Sequence, residues 1–191
     1  MDSVGCLTTG QFDGQELDFV HTNSAPSPTI TYNESYIFAC ESPTLAKRLR
    51  FAISNLHELA HMWFGTLVAV SWWNELGLNE SVATFVAFLA MSRSAKLEEF
   101  HSTCWVTFLE YKFWGVAKDS LSSTHSICCS HVSAERAGSL YDGISYGKGP
   151  SFIKQLYNLL GEETMSSGIQ LYFKKHSWSH AKLSHFIASM V

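Results

Sequence analysis

Apolar residues recur every three or four positions through most of the chain after residue 40, which is the spacing of amphipathic helices. The clearest stripe predicts a first helix and consists of Leu45, Leu49, Ala52, Ile53, Leu56, Ala60 and Trp63. Ser42 is a suitable N-cap for this helix, and Pro43 is tolerated at a first helical position. Further stripes predict a second helix over about residues 75–92, a third over about residues 97–117, and more helices from about Pro150 onward.

The first forty residues have a different pattern. Residues 30–40, with the sequence ITYNESYIFAC, are rich in β-branched and aromatic residues and predict an edge strand. Gly14, Pro26 and Pro28 mark the connections between strands and loops. The predicted fold class is therefore α+β and mostly α, with a short β part in residues 1–40 and a mainly helical part in residues 41–191.

Composition places the chain among globular proteins and excludes several classes. It has 191 residues, 46% of them hydrophobic and 16% charged, which allows one domain with a real core. The net charge is -4 and no Lys/Arg block is present, so a nucleic-acid partner is not expected. The longest apolar run, residues 82–91, is too short to span a bilayer. An odd number of cysteines and no visible signal peptide predict a cytoplasmic protein.

The candidate chemistry lies in the first two helices. His57 and His61 are four residues apart and share one helix face, so both imidazoles can bind one metal ion, for which zinc is suited. Glu80, on the second helix, is the candidate third ligand. Glu58 is placed to act as a general base toward a metal-activated water. A His-Glu-x-x-His sequence also occurs by chance on charged helix faces; the helical context and Glu80 favour a site here.

The segments HELAHMWFG and WWNELGLNES resemble the zinc aminopeptidases of the aminopeptidase N and puromycin-sensitive type, which are gluzincins with a thermolysin-like catalytic domain. The resemblance implies one zinc ion per chain and hydrolysis of N-terminal peptide bonds by zinc-activated water, with peptides bearing a free N-terminus as substrates. Thr66 stands where this family usually has Asn, and Gly77 where it usually has Trp. These differences concern the walls of the site and leave its metal ligands complete.

Two more segments extend the resemblance. LYDGISYGKG resembles the family's Phe-Asp-x-Ile-x-Tyr-x-Lys-Gly, which implies that Tyr146 is the catalytic tyrosine and leaves Tyr141 to packing. A phenol at this place can donate a hydrogen bond to the oxyanion of a tetrahedral intermediate. The opening MDSVGCLT resembles the family's Gly-Ala-Met-Glu-Asn segment, with Asp2 in the position of the glutamate. This implies that Asp2 binds the amino group of the substrate.

A second cluster of potential ligands lies between residues 119 and 140, a region predicted to be irregular. It comprises His125, Cys128, Cys129 and His131. Their spacing matches no closed zinc pattern, and adjacent cysteines rarely point at one ion. We therefore expect no second metal site.

The resemblance covers nearly the whole chain but corresponds only to the catalytic domain of a longer architecture. We thus interpret residues 1–191 as a partial thermolysin-like catalytic domain: a fragment, a truncated gene model or a shortened paralogue. Its activity alone is uncertain, and we expect a poor aminopeptidase. Two alternatives stay open at this point. One is a non-catalytic zinc-binding remnant that acts as an interaction module, and the other is an enzyme that hydrolyses an epoxide.

Overall fold

The computed structural model describes residues 10–12, 15–17, 30, 42–129 and 138–191, and in this part the protein is mostly helical. The six α-helices of the described residues are α1 (Leu45–His61), α2 (Leu76–Arg93), α3 (His101–Asp119), α4 (Gly149–Leu160), α5 (Glu162–His176) and α6 (Leu183–Ala188). The first three correspond to the first three predicted helices, and α3 begins about four residues later than predicted. A 3-10 helix, Ala95–Phe100, occupies the difference.

The start of α1 differs from the prediction. Thr44, rather than Ser42, is the N-cap, and its hydroxyl accepts a hydrogen bond from the backbone N–H of Lys47 at 3.3 Å. Pro43 therefore lies before the cap and not at the first helical position. Both Ser42 and Thr44 are good cap residues, and sequence preference alone does not separate two candidates so close together.

Strands are few among the described residues. Gly10–Phe12 (β1) pairs antiparallel with Gln15–Leu17 (β2), in agreement with the predicted β part near the N-terminus. Val68–Val70 (β3) pairs in parallel with Ser179–Ala181 (β4), which was not predicted. Of the predicted edge strand over residues 30–40, only Ile30 is described, and it lies in no strand.

Helix α2 is the central element and packs against α1, α3, α4 and the turn before α4. Its second half joins the two parts of the apolar core. Val82 and Phe85 pack with residues of α4, α5 and α6, whereas Phe88 and Met91 pack with α3. Its first half is also buried but carries polar side chains, namely Asn79, Glu80, Ser81 and Thr84. Buried polar groups of this kind need hydrogen-bond partners, and Glu80 and Thr84 find theirs in His57 of α1.

No helix in the described part of the chain is long and apolar enough to cross a membrane.

Candidate metal centre

His57 and His61 lie in the last turns of α1, with their imidazoles together on the side that faces α2. The two Nε2 atoms are 2.9 Å apart, and the rings meet edge to face with centroids 4.5 Å apart. Both side chains are buried. The predicted sharing of one helix face is thus confirmed by the geometry.

Glu80, in the second turn of α2, completes the cluster. Its Oε2 lies 3.2 Å from Nε2 of His57 and 3.3 Å from Nε2 of His61. Tetrahedral zinc with bonds of about 2.0–2.1 Å holds its ligand atoms about 3.3 Å from one another. The three donor atoms therefore fit one zinc ion, and they are the one such group among the residues that the structure describes.

The electrostatics of the cluster favour a cation. Burial disfavours a charged imidazole, but the charge of Glu80 and its hydrogen bond outweigh this effect and raise the pKa of His61 to about 9. Burial likewise opposes ionisation of Glu80, yet the charge of His61 and hydrogen bonds from both histidines hold the pKa of this carboxyl well below its usual range. A positive charge between these three groups, whether from protons or from a metal, is therefore stabilised.

The other ring nitrogen of each histidine also has a polar neighbour. Nδ1 of His61 lies 2.9 Å from the backbone oxygen of Phe64. This oxygen belongs to the turn after α1. The turn includes Gly65 at φ +130°, a conformation that favours glycine. Nδ1 of His57 lies 3.3 Å from the hydroxyl oxygen of Thr84 on α2. These contacts turn Nε2 of both rings toward Glu80.

Thr84 contacts this group and was not among the predicted site residues. It lies inside the apolar run over residues 82–91, whose pattern does not mark it as a polar contact. A signal was present, because Thr84 follows Glu80 by four positions and so shares its helix face. A hydroxyl at that spacing from a candidate ligand can be searched for in any sequence.

Glu58 follows His57 on α1 and does not belong to the ligand group. Its side chain is 1% exposed, and neither carboxylate oxygen has a hydrogen-bond partner among the described residues. Burial raises the pKa of this carboxyl, and the nearby charges of His57 and His61 partly counteract the shift. Burying a carboxylate without hydrogen-bond donors costs free energy of folding, so the presence of Glu58 at this place needs an explanation. A role as proton acceptor beside a metal centre is such an explanation.

Tyr146 lies in a π-helical turn, Ile144–Lys148, immediately before α4. Its ring centroid is 5.9 Å from that of His57, and its side chain is 1% exposed. The backbone oxygen of Asp142 accepts the N–H of Tyr146 at 3.0 Å. Ser81, the residue after Glu80, donates its hydroxyl to the backbone oxygen of Ser145 at 2.9 Å. The contacts of Asp142 and Ser81 with this turn therefore hold the ring of Tyr146 beside His57.

The phenol of Tyr146 remains a donor under ordinary conditions. Burial raises its pKa well above the usual range, and the negative charge of Glu80 adds to the shift. The ring stacks on Trp114, with centroids 6.2 Å apart and planes at 7°. A cavity of about 460 Å³ lies beside it and is bounded by α1, α3 and Tyr146 itself. Tyr146 therefore also borders a cavity, whose other lining residues include none of the ligand group.

Gly77, at the family's tryptophan position, has a close neighbour. A Cβ added at this residue would stand 2.2 Å from the backbone oxygen of Ile127. The segment after α3 therefore packs directly on the first turn of α2, in space that a side chain at position 77 would occupy. With glycine at this position, Glu80 still lies beside His57 and His61.

Two members of the second cluster, His125 and Cys129, are in contact, and no group of three potential ligands forms around them among the described residues. Sγ of Cys129 lies 3.7 Å from Nδ1 of His125, whereas Oδ1 of Asp142 lies 3.3 Å from Nε2 of the same ring. The two nitrogens point away from each other, so one ion cannot take all three groups. His131 lies outside the described residues, as does Asp2, the expected ligand of the substrate amino group.

Comparison with known proteins finds a peptidase family and several aminopeptidases that are similar to this chain. A sequence model of the peptidase family M1 domain matches residues 26–191. The chain is 38% identical over 162 residues to aminopeptidase N of Streptomyces lividans, which covers 84% of this chain and 19% of that protein. It is 40% identical over 162 residues to a probable aminopeptidase 2 of Sulfurisphaera tokodaii, covering 84% of this chain and 20% of the relative. A leucyl aminopeptidase of Saccharolobus solfataricus is 38% identical over 163 residues. This match covers 80% of this chain and 19% of the relative.

The matched region is a small part of these relatives. The chain spans about a fifth of the length of the curated proteins that it matches. The match includes His57, His61 and Glu80 and leaves out residues 1–25.

Proposed function

The chain belongs to peptidase family M1, and on this premise we propose that it carries the metal centre of a zinc aminopeptidase. The proposal assigns residues 1–191 to a partial thermolysin-like catalytic domain. It assigns His57, His61 and Glu80 as the ligands of one zinc ion per chain. The proposed substrates are peptides with a free N-terminus. The names of the aminopeptidase relatives support the reaction class.

One observation carries the proposal. Three buried donor atoms converge at zinc-like spacing, and directly beside them stands a buried carboxylate, Glu58, with no hydrogen-bond partner among the described residues. A merely structural metal site closes its coordination and has no use for an adjacent free base. A hydrolytic site needs both parts, because the attacking water must lose a proton.

The chain's own residues account for the proton movements. When bound, zinc supplies Lewis acidity, which makes water nucleophilic near neutral pH. Glu58 takes one proton from the water while the oxygen of that water attacks the carbonyl carbon of the first peptide bond. Glu58 then returns that proton to the leaving nitrogen as the C–N bond breaks. The phenol of Tyr146 donates a hydrogen bond to the oxygen that becomes negative during the attack.

Asp2 is proposed as the anchor for the substrate's ammonium group. An aminopeptidase must place the first peptide bond over the metal, and a carboxylate paired with the N-terminal charge does so. Asp is one methylene shorter than the glutamate of the family segment. This difference is one reason why we expect the chain to be a weak aminopeptidase by itself.

Hydrolysis of a fluorogenic aminoacyl amide by the purified chain tests the function. We expect slow turnover that stops after treatment with a chelator and returns when zinc is added. The N-acetylated form of the same amide is the matched control and is expected to resist hydrolysis, because it has no ammonium group. Zinc binding without any turnover would contradict the proposal and favour the interaction module. Turnover of an epoxide instead of the amide would favour the third alternative.

A further inference from the structure

We propose that Thr84 is a positioning residue of the metal centre, which holds His57 in the tautomer and orientation that zinc requires. The inference rests on the proposed function, because it concerns the same zinc ion. It adds a residue outside the ligand set whose hydroxyl acts on the metal only through His57.

The geometry places Thr84 on the far side of the imidazole from the ligand cluster. Its side chain is 0% exposed, and its Oγ1 lies 3.3 Å from Nδ1 of His57. At the opposite edge of the ring, Nε2 lies 3.2 Å from Oε2 of Glu80 and 2.9 Å from Nε2 of His61. The imidazole of His57 is therefore held between the hydroxyl and the other two ligands.

The chemistry of ligation gives the hydroxyl its role. A neutral imidazole that binds zinc through Nε2 must keep its one proton on Nδ1. That proton is buried here and needs an acceptor, which Oγ1 of Thr84 provides. Outer partners of this kind fix the orientation of a ligating ring and raise its basicity. For His61 the backbone oxygen of Phe64 has the corresponding position at 2.9 Å.

One helix carries both partners of His57. Glu80 and Thr84 are four residues apart on α2, so they present the ligand oxygen and the hydroxyl from successive turns. Packing of α2 on α1 thus sets both contacts at once. Ser81 lies between them in sequence, but its hydroxyl donates to the backbone oxygen of Ser145 and serves the turn of Tyr146. The two buried hydroxyls of α2 therefore act on different parts of the site.

The zinc affinity of variants tests whether Thr84, and not Ser81, acts on the zinc site. We would measure the zinc dissociation constant of the full 191-residue chain by competition with a chelating dye. Thr84→Val keeps the branched shape and removes the acceptor, and we expect its dissociation constant to rise by roughly 10- to 100-fold. Thr84→Ser keeps the hydroxyl and should bind zinc within about threefold of the wild type. Ser81→Ala is the matched control, because it removes a buried hydroxyl from the same helix without touching His57.

The outcomes separate this inference from the function on which it rests. Weak binding by Thr84→Val, with near wild-type affinity in Thr84→Ser and Ser81→Ala, supports it. Equal affinity of Thr84→Val and the wild type overturns the role of Thr84 and leaves the zinc proposal intact. Equal weakening in Ser81→Ala also overturns it, because loss of helix packing then explains the effect. A wild-type chain that binds no zinc removes the proposed function together with this inference.

Discussion

Glu58→Gln is expected to keep its zinc and to lose turnover of an aminoacyl amide by a factor on the order of 10²–10⁴. The side chain keeps its size, but an amide cannot accept the proton of the attacking water. Glu58 contributes no atom to the ligand group, so metal binding should persist. Steady-state rates normalised to zinc content, measured by elemental analysis of the same preparation, check the expectation.

The matched control for this substitution is Glu98→Gln. Glu98 is exposed in the 3-10 helix before α3, so loss of its charge should change neither zinc content nor rate. A Glu58→Gln variant that hydrolyses the amide as fast as the wild type would show that another group takes the proton. Loss of zinc in that variant would show that the carboxylate of Glu58 is needed for the metal itself.

Tyr146→Phe is expected to lower the turnover rate by roughly 10²–10³ while zinc content stays the same, as for other lost oxyanion donors. The substitution removes only the hydroxyl and keeps the ring that stacks on Trp114. Its effect should fall on kcat more than on KM, because the hydrogen bond is needed in the transition state and not in the ground state.

Tyr141 offers a matched control for this experiment, since its ring centroid lies 6.4 Å from that of Tyr146. Tyr141→Phe removes a second phenol from the same aromatic group and should leave most of the activity. If Tyr141→Phe is inactive and Tyr146→Phe behaves like the wild type, the roles of the two tyrosines are reversed.

The cluster of His57, His61 and Glu80 could be predicted from the sequence because its geometry is mostly local. Two histidines four residues apart on a helix must share a face, whatever surrounds them. Glu80 needed one further assumption, that the second helix packs back on the first, and the gap of eighteen residues after His61 allows it. The convergence of these three side chains in the structure therefore depends on helix periodicity and one tertiary contact.

Other features depend on contacts between distant segments, which the local sequence pattern does not determine. The parallel pair of β3 and β4 joins residues more than a hundred positions apart. Thr84 is marked in the sequence only by its spacing from Glu80. Its contact with His57 appears only when α2 is placed against α1, because α2 is buried on nearly all sides and its apolar pattern does not mark one face. The thermolysin-like fold, the domain bounds and the part of Asp2 remain predictions.

The central claim is that His57, His61 and Glu80 hold one zinc ion, and the zinc content of the purified chain tests it most directly. Elemental analysis should give one zinc per wild-type chain and none for the His57→Ala, His61→Ala double variant. A His176→Ala, His185→Ala variant is the control, because it removes a stacked histidine pair outside the centre and should keep the metal. Zinc retained at one per chain in the His57→Ala, His61→Ala variant would contradict the account.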